Sequence, residues 1–499
     1  MKAQLLIHKN FRIGTIDNRI YGSFVEHLGR CVYGGIYDPA HPTADALGFR
    51  EDVKQLIRDI DIPVVRYPGG NFVSGYNWED GTGDRGKRPQ KLDLAWKSVE
   101  TNQVGIDEFQ AWAKSVDAQI GMTVNLGTRG IADALNLLEY CNGRTDTHYA
   151  NLRRQNGFEE PFGIKTWFLG NEPDGAWQVG QKTAAEYGRL TAETAKAMKL
   201  QDPTVELVAC GSCGNRRPQF GHWDLTVLEQ VYDYIDYISI HQFLGNKEQD
   251  LPRFLGKSVV MDRFIKTAAV FCDAVKGIKH SDKTVNISFD EWNVWYRSAN
   301  SMNGHWQVAP PLLEEEYSFA DALVVGCMLM TLQNNCDRVR LACMAQLVNV
   351  LAPIMTETGG AAWAQTIYWP FLYASRYGKG VTLRPVVECD RYRITDGARP
   401  LLTQHDVPYL ETSVIYNEEK RELVVFAVNR SLEEEMELDL DVQGFGQLHM
   451  IEHVELFNED LDAVNTKDSA AVTPTNRPVT QAAPVTLSKH SWNMLRYTC

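Results

Sequence analysis

Trp167-Phe168-Leu169-Gly170-Asn171-Glu172-Pro173 is the stretch from which the fold of this 499-residue chain can be read. It closes a run at residues 164–169 that is rich in bulky side chains and long enough for one buried strand. The run stops abruptly in Gly, Asn, Glu and Pro. A carboxylate therefore stands at the C-terminal lip of a buried strand, and Pro173 stops the sheet behind it. A second stretch, Val285-Asn286-Ile287-Ser288-Phe289-Asp290-Glu291-Trp292-Asn293, has the same shape. Two carboxylates at strand exits suggest an acid/base group and a nucleophile. The plain alternative is two solvated strand ends.

Working outward, short apolar runs alternate with helical patterns such as residues 49–59 and 106–116. The runs fall at residues 19–28, 63–67, 119–126, 164–169, 205–209, 234–240, 285–289 and 338–345, which makes eight. Strands alternating with helices imply parallel pairing through crossover helices. Eight such units fit an α/β fold, a (β/α)8 TIM barrel with extended loops. An open doubly wound sheet is the runner-up, and the lack of a Gly-rich phosphate loop after the first run counts against it. Polar residues gather where the runs end: Glu26-His27, Arg66 to Asn71, Asn125, Asn171-Glu172, His241-Gln242, Glu291, Gln346 and Asn349. In a barrel these all lie on the C-terminal face, where active sites are built. A purely structural protein has no reason to collect such groups at one end of so many strands.

Beyond about residue 377 the helical periodicity stops. Residues 436–442 (MELDLDV) alternate, residues 423–428 form a continuous apolar run, and turn signals separate such segments. This pattern predicts a C-terminal antiparallel β-sandwich, jelly-roll-like in kind. Residues 458–484 are polar with three prolines and read as a long surface loop, with closing strands at 485–487 and 492–497. Residues 2–16 read as one or two strands ahead of the barrel.

Composition narrows the class. Fifty Lys+Arg against 64 Asp+Glu give a net charge of −14, which disfavours nucleic acid and anionic membrane as partners. The apolar start at residues 3–7 is too short for a signal sequence, and the most apolar run, residues 323–330, is too short to span a membrane. A cytoplasmic protein with free thiols is the expectation for its ten cysteines. Cys210-Gly-Ser-Cys213 has no second Cys pair at zinc-ribbon spacing, and no His-Glu-x-x-His occurs. No cofactor or metal is expected.

The chemistry expected of Glu172 and Glu291 is glycoside hydrolysis, which needs a proton for the leaving oxygen and an anion for the oxocarbenium-like centre. Asn171 can offer an amide to a neighbouring sugar hydroxyl. Pro68-Gly69-Gly70 forces a sharp turn after Arg66, whose guanidinium can hold a carboxylate in place; a turn with a structural ion pair is the bland alternative. Trp96, Trp177, Trp223, Trp292, Trp295, Tyr296 and Trp306 offer flat faces suited to sugar rings. Of these, Trp295 and Tyr296, just beyond Glu291, are the stronger candidates.

The stretches at 19–30 (RIYGSFVEHLGR), 66–78 (RYPGGNFVSGYNW), 167–175 (WFLGNEPDG), 290–295 (DEWNVW) and 345–349 (AQLVN) resemble the α-L-arabinofuranosidases of glycoside hydrolase family 51. The resemblance implies a retaining enzyme with its acid/base after the fourth strand and its nucleophile after the seventh, the places Glu172 and Glu291 hold among the runs. By position, Glu172 resembles the acid/base and Glu291 the nucleophile. Glu26, Asn71, Asn171 and Gln346 resemble the ligands of the arabinosyl hydroxyls. Arg66 and His241 resemble residues that orient the nucleophile, and Trp96 and Trp295 resemble pocket walls. Phe243 departs from the family pattern, which commonly has Tyr there. The resemblance also implies that the N-terminal segment joins the sandwich, so that residues 17–380 form the barrel and residues 1–16 with 381–499 the second domain. It further implies an intracellular homohexamer.

The expected function is an exo-acting, retaining arabinofuranosidase acting on arabinan- or arabinoxylan-derived oligosaccharides. The alternatives are a β-xylosidase or endo-glucanase on the same scaffold, or a carbohydrate-binding protein with a weak site. The presence of both Glu172 and Glu291 speaks against the last.

Overall fold

The computed structural model describes residues 1–298, 303–396, 403–479 and 484–499. Eight parallel strands close a barrel in chain order: β1 Gly22–Phe24, β2 Val64–Tyr67, β3 Gln119–Thr123, β4 Thr166–Leu169, β5 Glu206–Cys210, β6 Tyr237–Leu244, β7 Asn286–Val294 and β8 Val339–Met344. β8 pairs back onto β1 through Cys343 opposite Gly22. Each of the eight apolar runs overlaps one of these strands. Three of them reach further than the apolar pattern, β5 by one residue and β6 and β7 by more. β6 and β7 continue past His241 and Glu291 because their backbones keep pairing, His241 against Glu291 and Phe243 against Asn293. A polar side chain ends an apolar run without ending a hydrogen-bonded ladder.

The crossover helices cover the outside of the barrel. The helix after β4, Ala184–Gln201, opens on a reciprocal cap in which Thr183 and Glu186 each accept the other's backbone N–H. Helix Phe319–Asn334 contains the most apolar stretch of the chain and is buried on nearly every side. It lies between the barrel and the C-terminal sheet, whose residues Val424, Phe426, Val428, Trp492 and Met494 share its core. That placement explains an all-round apolar helix in a globular protein. Each buried Leu or Val along it contributes about 1.5–3 kcal/mol. Among the described residues no helix is long and apolar enough to cross a membrane.

The C-terminal part holds a seven-stranded and a four-stranded sheet facing each other. Leu5, Ile7, Val414, Leu423, Val425, Leu438 and Leu495 form the core between them. Strand Glu422–Asn429 is therefore buried on both faces, by this core on one side and the barrel on the other. It reads as a continuous apolar run for that reason. Met436–Gln443 alternates because its outer face meets solvent. The N-terminal strand Lys2–His8 joins the smaller sheet, antiparallel to Val386–Cys389 and parallel to Met436–Gln443. The sandwich is thus not wholly antiparallel. A parallel pair needs a long crossover, and here the entire barrel serves as one.

The stretch expected to be a surface loop, residues 458–484, is only partly so, and residues 480–483 lie outside the described residues. Ala463 and Leu461 accept the backbone N–H groups of Phe319 and Ala320, so the segment caps the central helix. Val472 and Asn465 within it are buried. Free N–H groups at a buried helix start must find acceptors, and composition does not reveal which loop supplies them.

Candidate active site

The site lies at the C-terminal mouth of the barrel. β4 leaves the sheet through Gly170 at φ 93°, and Glu172 itself adopts φ 42°. A non-glycine residue held there costs of order 1–3 kcal/mol. The turn is closed by the Gly175 N–H on the Glu172 carbonyl at 2.8 Å. It aims the Glu172 carboxyl back across the barrel, where His241 Nδ1 lies 2.8 Å from Oε1 and Trp177 Nε1 donates to Oε2 at 3.0 Å.

Glu291 owes its orientation to a bulge in β7. Ser239 of β6 faces Ser288, while His241, two residues on, faces Glu291, three residues on. The register slips in the same place against β8, between Phe289 and Trp292. An extra residue breaks the in-out alternation of a strand. Asp290 and Glu291 therefore both reach Arg66: Nη1 donates to Glu291 Oε1 at 2.6 Å, and Nε lies 3.3 Å from Asp290 Oδ2. The third edge of the guanidinium, Nη2, donates to Asn171 Oδ1 at 2.6 Å. The cation is 1% exposed and lies over the rings of Phe24 and Phe168.

An oxygen of Glu172 and one of Glu291 lie within 4.8 Å of each other, with His241 Nδ1 within the same radius of both. Paired carboxyls at about 5–5.5 Å suit retention, and those at about 6.5–9.5 Å leave room for the water of an inverting reaction. Burial and the nearby Glu291 charge raise the Glu172 pKa above the ordinary carboxylate range, against the opposing hydrogen bond from His241. Burial also works to raise Asp290, but Arg66 and His241 outweigh it and hold its carboxyl low. Burial works against charge on His241, yet Glu291, Asp290 and Glu172 keep it well above the usual imidazole range. The two carboxyls thus sit in unlike surroundings, one against an indole and a histidine, the other clamped by a guanidinium.

A polar wall continues from β1, β2 and β8. Glu26 accepts from the Phe72 N–H at 2.8 Å, Trp96 Nε1 at 3.0 Å and Gln346 Nε2 at 3.1 Å. Burial, with help from the Glu291 charge, pushes Glu26 up to about 8. Asn71 accepts from Asn171 Nδ2 at 3.1 Å and also from Gln178 Nε2. Phe243, half-buried, meets the edge of Trp295 at 5.4 Å between ring centres and packs by Phe24, Cys343 and Ala345.

All eleven residues singled out as catalytic or substrate-binding in the sequence stand around this mouth or line its floor. Several other strand-end groups do not serve it. Asn125 ties down its own loop through Thr128 and Tyr76, His27 joins Glu100 to Tyr67, and Asn349 holds Arg30 and Thr356. Tyr296, favoured among the aromatics, turns away to Asp321 and Arg297. Trp223 and Trp292 are core. Trp177 was the weaker candidate and is the one on Glu172; its position five residues further along the same loop was the available signal. Gln178 and Asp290 were not singled out, since a buried Asp beside a Glu is indistinguishable from an outward one until the bulge is known.

Among the described residues Glu172, His241 and Glu291 are the one grouping whose donor atoms converge as metal ligands do. Arg66 already supplies a cation to Glu291 there, at 2.6 Å. Cys210 and Cys213 are free thiols; burial pushes Cys210 up to about 12 and, with the Glu172 and Asp174 charges, raises Cys213 further. A cleft of about 660 Å³ between helices Ser258–Ile278 and Phe319–Asn334 and the sandwich carries none of the strand-end groups.

Two family models match the chain, described as the α-L-arabinofuranosidase 1 domain over residues 56–251 and the α-L-arabinofuranosidase C-terminal domain over residues 290–491. The chain is 50% identical over 501 residues to the intracellular exo-α-(1→5)-L-arabinofuranosidase 1 of Bacillus subtilis, covering 99% of each chain. It superposes with TM-score 0.94 and 41% identity on a solved family 51 α-L-arabinofuranosidase from Bifidobacterium longum, covering 100% of this chain and 99% of the other. The arabinose complex of the Thermotoga maritima α-L-arabinofuranosidase is similar at TM-score 0.89 and 34% identity, covering 99% of each.

Proposed function

This chain belongs to the α-L-arabinofuranosidases of glycoside hydrolase family 51 and is a glycoside hydrolase that releases arabinofuranosyl residues; from that premise we propose that it acts by double displacement, with Glu291 as nucleophile and Glu172 as general acid and base. The observation that carries the reading is the pair of carboxyls within 4.8 Å of each other, one clamped by Arg66 and the other raised by burial. Arg66 occupies Glu291 Oε1, which leaves Oε2 to attack the anomeric carbon. As that bond forms, the glycosidic C–O bond breaks and its oxygen takes the proton of Glu172. Glu172, now a carboxylate, deprotonates the water that cleaves the glycosyl ester, and Glu291 leaves as a carboxylate.

Glu26, Asn71, Asn171 and Gln346 are proposed to bind the sugar hydroxyls, with Arg66 and His241 orienting the carboxyls. Trp96, Trp295 and Phe243 are proposed as walls. The names of the relatives support an exo action on arabinose-containing substrates and an intracellular location; oligosaccharides of arabinan or arabinoxylan origin are the substrates proposed. The family resemblance supports a homohexamer, and a barrel of residues 17–380 beside a domain of residues 1–16 with 381–499.

The test is a panel of nitrophenyl α-L-arabinofuranoside, β-D-xyloside and β-D-glucoside, with methanol as a competing acceptor. The arabinofuranoside should be the preferred substrate and the first methyl glycoside formed should keep the α configuration. A β product would make the enzyme inverting and remove these roles.

A further inference from the structure

His241 is placed where one proton donor can serve two carboxyls in turn. Its Nδ1 lies 2.8 Å from Glu172 Oε1 and 3.7 Å from Glu291 Oε2, a difference of 0.9 Å (3.7 − 2.8). Its other nitrogen, Nε2, faces Ser239 Oγ at 3.2 Å and Asp290 Oδ2 at 3.7 Å. Every polar atom around the ring is an oxygen, and three of the four belong to carboxyl groups. A neutral imidazole could accept the Ser239 hydroxyl at Nε2, but Asp290 Oδ2 would then face no donor from the ring, whereas an imidazolium donates on both sides. Asp290 has the matching geometry. It is 0% exposed, Ser288 Oγ donates to its Oδ1 at 3.2 Å, and its Oδ2 is met by Arg66 Nε at 3.3 Å and His241 Nε2 at 3.7 Å as ion pairs rather than as formed hydrogen bonds.

We propose that His241 stays an imidazolium throughout turnover, that its Nδ1–H follows the negative charge as this passes between Glu291 and Glu172, and that Asp290 is the positioning residue that holds it in that state. The proposal rests on the double-displacement reading above. Before reaction the charged groups are Arg66 and His241 against Asp290 and Glu291, two cations and two anions, with Glu172 carrying its proton. Attack by Glu291 turns it into a neutral ester, and the departing oxygen takes the Glu172 proton. The anions are then Asp290 and Glu172, and the balance is unchanged. A buried cluster that keeps its net charge avoids the cost of an uncompensated charge at either stage. In the arrangement seen, both Glu172 oxygens accept hydrogen bonds, from His241 and from Trp177, and Glu291 Oε2 has only the more distant His241. Other ionisable groups close to this cluster are Glu26 after β1, Asp174 in the loop after β4, Cys210 and Cys213 at the exit of β5, and Cys343 on β8. The raised pKa of His241 agrees with the charge its neighbours ask for.

The experiment is 15N NMR of the histidine rings in the full-length enzyme, with His241 assigned by its loss in His241→Gln. In the wild type both ring nitrogens of His241 should carry protons across about pH 5–8. In Glu291→Gln, which imitates the neutral ester, the ring should remain protonated. The Glu172 carboxyl, followed by 13C, should titrate lower there than in the wild type. In Asp290→Asn, His241 should titrate near neutrality and kcat/KM should fall about tenfold or more above that midpoint. A neutral His241 in the wild type at pH 7, or an unchanged His241 titration in Asp290→Asn, would overturn the proposal. If Asp290→Asn does not fold, the wild-type and Glu291→Gln spectra still decide. An inverted methanolysis product would remove the double-displacement reading while leaving the protonation of the ring measurable, so the two failures are distinct.

Discussion

Arg66 Nη1 and Glu291 Oε1 stand 2.6 Å apart, with the Arg66 side chain 1% exposed and that of Glu291 10% exposed. The pair is held from both ends of the sequence, because Arg66 closes β2 and Glu291 sits on the β7 bulge. Removing one partner of a buried pair leaves the other charge uncompensated, at a cost of about 3–5 kcal/mol. Arg66→Met should therefore lower the melting temperature as well as activity. Arg66→Lys should keep the charge but lose the three-way contact to Asp290, Glu291 and Asn171, so its stability should recover more than its kcat. Equal losses of both in the Lys variant, by thermal denaturation and kinetics, would contradict this.

The division of labour between the carboxyls is tested by leaving groups. Glu291→Ala should abolish turnover of every substrate. Glu172→Ala should spare substrates whose leaving group needs no proton, and azide should then capture the glycosyl-enzyme with retained configuration. An azide product of inverted configuration would mean that the roles are exchanged.

The pH dependence follows from the raised pKa of Glu172. As general acid Glu172 works in its protonated form, so kcat/KM should fall as pH rises through a midpoint above the ordinary carboxylate range. With a leaving group that needs no proton, this alkaline limb should flatten. A limb that persists unchanged with such substrates would belong to another group.

Glu26 makes a prediction about stability. Its folded pKa, about 8, lies above its ordinary 4.5, so the folded state holds the extra proton between these values. Its contribution is fully present below about 4.5 and is lost as pH rises toward about 8. Glu26→Gln cannot titrate, and the fall in melting temperature from pH 5 to pH 8 should be smaller in that variant than in the wild type. An identical fall in both would assign the slope elsewhere.

Phe243 stands edge-on to Trp295, two residues beyond His241 on β6. A hydroxyl added there would meet a mouth whose Glu291 Oε2 lacks a close donor. Phe243→Tyr should change kcat/KM on the arabinofuranoside, by up to about a hundredfold if the new bond forms only in the transition state. Phe243→Leu serves as the packing control. No change in the Tyr variant, with a large loss in the Leu variant, would leave packing as the role of this position.

The architecture was legible because it rests on local pattern. A buried strand, a polar exit and a helix repeat eight times, and each unit announces itself within a few residues. Glu172 and Glu291 could be picked out because each stands where an apolar run breaks, and their neighbours could be matched as motifs. The sequence by itself thus determined the barrel, the end at which its chemistry lies, and which carboxylates to suspect. Other features have no local signature. Asp290 reaches the site only because β7 carries an extra residue against β6 and β8, and a bulge is a property of paired strands. The N-terminal strand lies beside residues 436–443 because both bury their inner faces over one core. Trp177 outranks Tyr296 because a loop folds back over Glu172, while Tyr296 finds Asp321. Only the tertiary structure decided these, for one physical reason. Backbone pairing and burial depend on what stands opposite a residue, and in a closed barrel the opposite partner lies far away in the chain.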